Sequence, residues 1–158
     1  MLQSEADGSP RLFNSSNAKR YPIRISLSHC AGGVAIAFAR KAAVGVDIET
    51  HRKPLQVEEA IARQLSEAEH LLVTPRSIWD CWSRKEALLK AMGTGLGALK
   101  DIPSLDQKGQ SLLVDGRLWR VATLDSGPSF SLAYACEGAG RRVKHFVCRS
   151  WVAPLRRV

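Results

Sequence analysis

Apolar and polar positions along the chain change in short, two-residue rhythms, with two longer segments of helical spacing between them. Ile23 to Leu27 alternates apolar with polar residues, the period of a half-buried strand, and ends at Ser28-His29. Val34 to Ala39 reads as a second strand after the Gly32-Gly33 turn, and Ala43 to Ile48 as a third. From Val57 to Leu72 the spacing of Val57, Ile61, Leu65 and Leu72 predicts a helix. Ile78 to Met92 predicts a stronger one, uninterrupted by proline and stopped at Gly93. Four further short strands follow at Ser111–Val114, Arg117–Ala122, Phe130–Cys136 and His145–Trp151, divided by turns such as Asp115-Gly116 and Gly127-Pro128. Residues 1–20, polar and rich in Ser, Asn and Gly, read as an arm ahead of a domain over 21–158. Strands, two helices, then strands again predict an α+β fold with antiparallel sheet.

Composition narrows the picture. A chain of 158 residues, 45% apolar and 24% charged, is long enough for one core that buries roughly 70% of the unfolded surface. The longest apolar run, Ala31 to Phe38, is broken by glycines and falls far short of the ~20 residues a membrane span requires. The opening MLQSEADGSP lacks a cationic start followed by an apolar stretch, so no signal peptide is read there. The cysteines Cys30, Cys81, Cys136 and Cys148 form no CxxC and stand at no zinc spacing, which points to reduced thiols in a cytoplasm. A net charge of +8 draws anions: nucleic acids, phosphorylated small molecules or acidic proteins. The dense basic runs, Arg141 to Lys144 and Arg156-Arg157, read as solvated faces, so no specific nucleic-acid site is expected.

Chemistry concentrates in two places. On the Ile78–Met92 helix, at about 100° per residue, Ile78, Cys81, Trp82, Leu88, Leu89 and Met92 form one apolar stripe. Lys85 projects into the middle of it, where a cation is out of place. Glu86 and Lys90 lie at its edge one turn apart, a pairing that alone is a surface contact worth a few tenths of a kcal/mol. The second place is Val44-Gly45-Val46-Asp47-Ile48-Glu49, where an extended strand puts Asp47 and Glu49 on one face. Two carboxylates among Val and Ile call for a cation, and a hard ion such as Mg²⁺ suits them; a strand ending at Asp47 would instead leave both solvated. Gly93 to Gly97 lacks the Gly-Lys-Ser/Thr of a phosphate loop and reads as a helix stop, while Trp79, Trp82, Trp119 and Trp151 read as packing. His51, His70 and His145 share no ligand spacing.

Val-Gly-Val-Asp-Ile-Glu, followed 33 residues after Glu49 by Trp-Ser-Arg-Lys-Glu-Ala-Leu-Leu-Lys, resembles the 4′-phosphopantetheinyl transferase signature of a Gly-Val-Asp strand and a Lys-Glu helix. The Asp-x-Glu ending is similar to the surfactin-synthetase-activating type, and Ile25-Ser26-Leu27-Ser28-His29 resembles that type's Ser-His segment. The resemblance covers roughly residues 10 to 136. It implies that family's fold and the transfer of 4′-phosphopantetheine from coenzyme A to a carrier-protein serine. It further implies Mg²⁺ on Asp47, Glu49 and Glu86, with Glu86 as general base and Lys85 and Lys90 on phosphate oxygens. Ser28 and His29 would meet the coenzyme. Acidic acyl or peptidyl carrier proteins would be the partners.

The chain departs from that type in length. Only about forty residues precede the Gly45-Val46-Asp47 strand, so the first of two similar halves is expected to be largely truncated. Gly8-Ser9-Pro10-Arg11 resembles the family's Gly-Lys-Pro segment with serine for lysine, leaving Arg11 to supply the charge. The truncation implies an exposed apolar interface, covered either by self-association or by a partner domain that completes the coenzyme site. Two other functions fit the same residues: a non-catalytic basic module that binds carrier protein or nucleic acid, and a Mg²⁺-dependent phosphohydrolase.

Overall fold

The computed structural model describes residues 1–4, 10–51, 55–70, 75–105 and 109–138. In chain order these form β1 (Leu2–Ser4), β2 (Pro10–Phe13), β3 (Arg20–Cys30), β4 (Gly33–Arg40), β5 (Val44–Thr50), α1 (Leu55–Ala62), α2 (Glu67–His70), α3 (Pro75–Met92), a 3-10 helix (Leu96–Asp101), β6 (Gly109–Val114), β7 (Arg117–Leu124) and β8 (Phe130–Glu137). Two four-stranded sheets result, in the orders β1-β2-β3-β4 and β5-β8-β7-β6, and every pairing in them is antiparallel. The fold is therefore α+β, as the element order predicts. The expected strand His145–Trp151 and the basic runs after residue 140 lie outside the described residues.

Two expectations change. Residues 1–20 are not wholly a loose arm: β1 and β2 lie within them, and β2 pairs with β3 through Arg11 opposite Arg24. The single helix expected over 57–72 is broken into α1 and α2. Ser66 starts a new helix with reciprocal bonds: its N–H donates to Glu69 Oε2 at 2.7 Å, and the Glu69 N–H donates to Ser66 Oγ at 3.3 Å. This Ser-x-x-Glu capping box satisfies two donors that a helix start leaves orphaned.

Three layers position the site. The second sheet takes α3 on one face, where Ala87, Leu88 and Leu89 pack with Trp119, Val121, Ala133 and Ala135. On its other face Val46, Ile48 and Leu132 pack with Ala35 and Ala37 of the first sheet. Trp79 and Trp119 are buried and Trp82 is half-buried, as packing residues should be. Strand β5 is thus sandwiched, and its outer edge is met by β3: the Val46 N–H donates to Ser26 Oγ at 3.0 Å. The Asp115-Gly116 turn joins β6 to β7 with both residues at positive φ, 51° and 71°, as a two-residue hairpin requires.

Candidate active site

Gly45 explains how α3 comes so close to β5. A Cβ there would stand 1.9 Å from the Ala87 carbonyl oxygen and 2.6 Å from the Ala91 nitrogen, both helix backbone. Only glycine admits that approach, and Ala133 and Ala135 on β8 keep the neighbouring surface equally small. The alternation of β5 then turns Asp47 and Glu49, like Gly45, towards the helix.

Asp47 is buried beneath α3 and meets two of the residues singled out from the sequence. Lys90 Nζ donates to Asp47 Oδ1 at 2.7 Å and to Ser28 Oγ at 3.1 Å, and Ser28 Oγ donates to the same Oδ1 at 2.8 Å. Three chain segments, β3, β5 and α3, converge on one carboxylate oxygen. The other oxygen, Oδ2, is buried with no hydrogen-bond partner. A buried carboxylate oxygen left unpaired costs free energy, so it is a natural place for a cation or a donor from a ligand. Lys90 keeps 32% of its side chain exposed, so its ammonium can turn to another anion.

The remaining predicted residues sit differently. Glu49 lies on the same face of β5, opposite Ser131 of β8, and Glu86 lies on α3 one turn before Lys90; both are half-buried. Among the described residues no three His, Cys, Asp or Glu side chains gather as a metal cluster. The donors still suit a hard ion: they are all carboxylate oxygens, and Asp47 Oδ2 is open to one. His29 points away from Asp47, because it follows Ser28 on a strand and pairs with Val34 on the exposed face. Arg11 is buried on β2, opposite Arg24, with Nη1 donating to the Pro10 carbonyl at 3.2 Å. Arg24 is four residues before Ser28, about 13 Å along the strand, so Arg11 does not join the Ser28–Asp47–Lys90 group.

Lys85 has a partner that the sequence reading missed. Its Nζ lies 3.1 Å from Glu69 Oε2, and both side chains are essentially fully buried. The Leu105 N–H donates to Glu69 Oε1 at 2.7 Å. Burial pushes the Glu69 carboxyl upward, yet the backbone donors of Leu105 and Ser66 together with Lys85 outweigh it and hold it below its ordinary value. The cation at a core phase of α3 is therefore matched by a carboxylate from α2. The Ser66-x-x-Glu69 capping-box pattern was the signal that could have located it.

A second network lies at the far end of β5. The His51 ring places Nε2 2.9 Å from Ser131 Oγ and Nδ1 3.1 Å from the Pro128 carbonyl oxygen, and Ser131 Oγ donates to Asp80 Oδ1. It ties β5, β8 and the start of α3 together beside Glu49. Cys81 is buried, and that burial raises its thiol pKa, which marks a core residue rather than a nucleophile.

The family model of the 4′-phosphopantetheinyl transferase superfamily matches residues 43–151. It spans β5, α3 and the strands beneath them, and the chain belongs to that superfamily. No curated protein matches the chain. Membership makes this a transferase of the phosphopantetheinyl kind, a family that works with coenzyme A, a carrier protein and Mg²⁺. Among the described residues no helix is long and apolar enough to cross a membrane.

Proposed function

We propose that the protein transfers 4′-phosphopantetheine from coenzyme A to a serine of an acidic acyl or peptidyl carrier protein, releasing adenosine 3′,5′-bisphosphate. The observation that carries this reading is the convergence of Ser28 and Lys90 on Asp47, whose second oxygen is buried and unsatisfied. Asp47, Glu49 and Glu86 are the residues that would hold Mg²⁺, which would draw electron density from the pyrophosphate and offset charge on the leaving phosphate.

Lys90 and Ser28 supply hydrogen-bond donors to the pyrophosphate oxygens, Lys90 by turning its partly exposed ammonium from Asp47. Glu86 accepts the proton of the carrier serine as that oxygen attacks the phosphorus bearing the pantetheine arm. The new serine–phosphorus bond forms as the bond to the bridging oxygen breaks, and its electron pair leaves with the adenosine bisphosphate. Lys85 takes no direct part, since Glu69 seals it in the core. The +8 charge speeds encounter with an acidic carrier more than it tightens the complex. The chemistry is that of cytoplasmic carrier-protein activation.

The test is intact-mass spectrometry of apo carrier proteins from fatty-acid, polyketide and peptide synthases, incubated with coenzyme A, Mg²⁺ and either this protein or its Glu86→Gln variant. The expected result is the gain of one phosphopantetheine on at least one carrier, lost with the variant. No gain on any carrier from folded protein would overturn the reading.

A further inference from the structure

Where β3 begins and β4 ends, Arg20, Arg24 and Lys41 line a cavity of about 210 Å³, and none of the described residues lining it is acidic. Arg11 is buried directly opposite Arg24 in the β2–β3 register and adds a fourth cation to the same place. Like charges set opposite each other weaken a sheet, so this grouping favours a bound anion. Lys41 is held there against its own backbone preference. Its φ is 56°, in the left-handed region, and its N–H donates to the Pro22 carbonyl at 3.1 Å. The cavity is smaller than the roughly 300–1,000 Å³ of a pocket that encloses a whole ligand, and it suits one phosphate of a longer molecule.

We propose that this cavity takes the 3′-phosphate of coenzyme A, with Arg24 and Lys41 as the residues that select it. The inference rests on the reading of the Ser28–Asp47–Lys90 group as a coenzyme A site. There Ser28 and Lys90 serve the pyrophosphate, and His29 faces away from it, so the phosphate on the ribose is left to other residues. Direction and reach both lead to the cavity. An in-line displacement sends the nucleotide out on the side opposite the attacking oxygen, and so away from Glu86. On α3 that way runs from Glu86 through Lys90 to Ala91, which lies over Gly45 near the start of β5. Lys41 precedes that strand by three residues. Arg24 shares the inward face of β3 with Ser26, whose Oγ accepts the Val46 N–H at 3.0 Å. Arg24 stands about 13 Å along β3 from Ser28, a gap that one ribose and an extended arginine side chain span together. Both cations suit a phosphate dianion, the arginine through two parallel N–H bonds. Neither residue belongs to the Ser-His, Gly-Val-Asp or Lys-Glu motifs, so the sequence pattern does not point to them.

Calorimetric titration of the full chain with coenzyme A and with 3′-dephospho-coenzyme A, each with Mg²⁺, reads the effect of that phosphate alone. Wild type should bind coenzyme A at least about tenfold tighter. Arg24→Gln and Lys41→Gln, both at exposed positions, should each shrink that ratio about threefold or more and leave binding of the dephospho compound unchanged. Arg24→Lys should recover part of the ratio. Equal affinity of wild type for the two compounds would overturn the proposal. So would variants that weaken both compounds alike, or that keep the ratio and raise the KM for the carrier instead, which would make the cavity a carrier contact. Binding of neither compound would overturn the coenzyme A reading and this inference with it. A protein that discriminates the two compounds but modifies no carrier would uphold the inference and overturn the proposed transfer.

Discussion

Helix α3 carries two lysines five residues apart, and each meets a carboxylate from another element: Lys85 meets Glu69 of α2, and Lys90 meets Asp47 of β5. The first pair is sealed. Glu69 has the Leu105 and Ser66 N–H groups as well as Lys85, and neither side chain exposes more than 2% of its surface. The second is open at both partners, with Lys90 one-third exposed and Asp47 Oδ2 unsatisfied. The same two charges thus do different work. Where both carboxylate oxygens have partners, the pair fixes how α2 and the chain before β6 sit against α3. Where one oxygen is unused and the cation can move, the pair is available to a ligand.

The sharpest way to break this comparison is to remove one charge from the sealed pair. Lys85→Met strands a carboxylate in the core and should cost roughly 3–5 kcal/mol of stability, because the loss is that of an uncompensated buried charge. Adding Glu69→Gln removes that charge while keeping an acceptor for the Leu105 N–H, so the double variant should be more stable than Lys85→Met alone. Urea unfolding of the three proteins checks this. If the single and double variants unfold together, the pair is not the lock described here.

The same experiment on the open pair should give the opposite balance. Asp47→Asn leaves a partly solvated Lys90 and should cost no more than about 1.5 kcal/mol of stability. Its effect on carrier modification should be far larger, on the order of a hundredfold fall in rate, since it removes charge from the proposed reacting centre. Denaturation and intact-mass turnover on the same preparations separate the two readouts. A variant that loses stability like Lys85→Met but keeps its turnover would show that Asp47 is structural and the division between the pairs is wrong.

Much of this arrangement was legible in the sequence wherever one element decided it. Period-two runs located β3, β4, β5, β7 and β8, the apolar stripe located α3, and Gly-Val-Asp with Lys-Glu located the open site. What was not legible depended on two elements meeting. Lys85 stood out because a cation in an apolar stripe needs a counter-charge, but helix phase alone cannot say whether that charge is a substrate phosphate or another side chain. The partner lay sixteen residues earlier in a segment read as one helix, and the capping box at Ser66 both broke that helix and oriented Glu69. His29 was assigned together with Ser28 as a motif, although neighbours on a strand face opposite ways. Strand alternation was sufficient to separate them.

The smallest effect should distinguish the pairs by pH. The sealed carboxylate of Glu69 titrates below its ordinary value of 4.5, with its backbone donors and Lys85 overcoming the cost of burial. A carboxylate depressed by folding contributes stability that is whole above the unfolded value and is lost as pH falls through the folded one. The stability advantage of wild type over Glu69→Gln should therefore be flat from about pH 7 to about pH 5 and shrink below pH 4.5, by at most about 1.4 kcal/mol for each unit of depression. The variant cannot titrate at that position, so the other carboxylates, common to both proteins, cancel in the difference. Denaturant unfolding across this range reads the difference directly. An advantage that persists undiminished to about pH 3 would mean that the bonds holding Glu69 do not depend on its charge, and the sealed pair would then be a neutral hydrogen-bond lock rather than an ionic one.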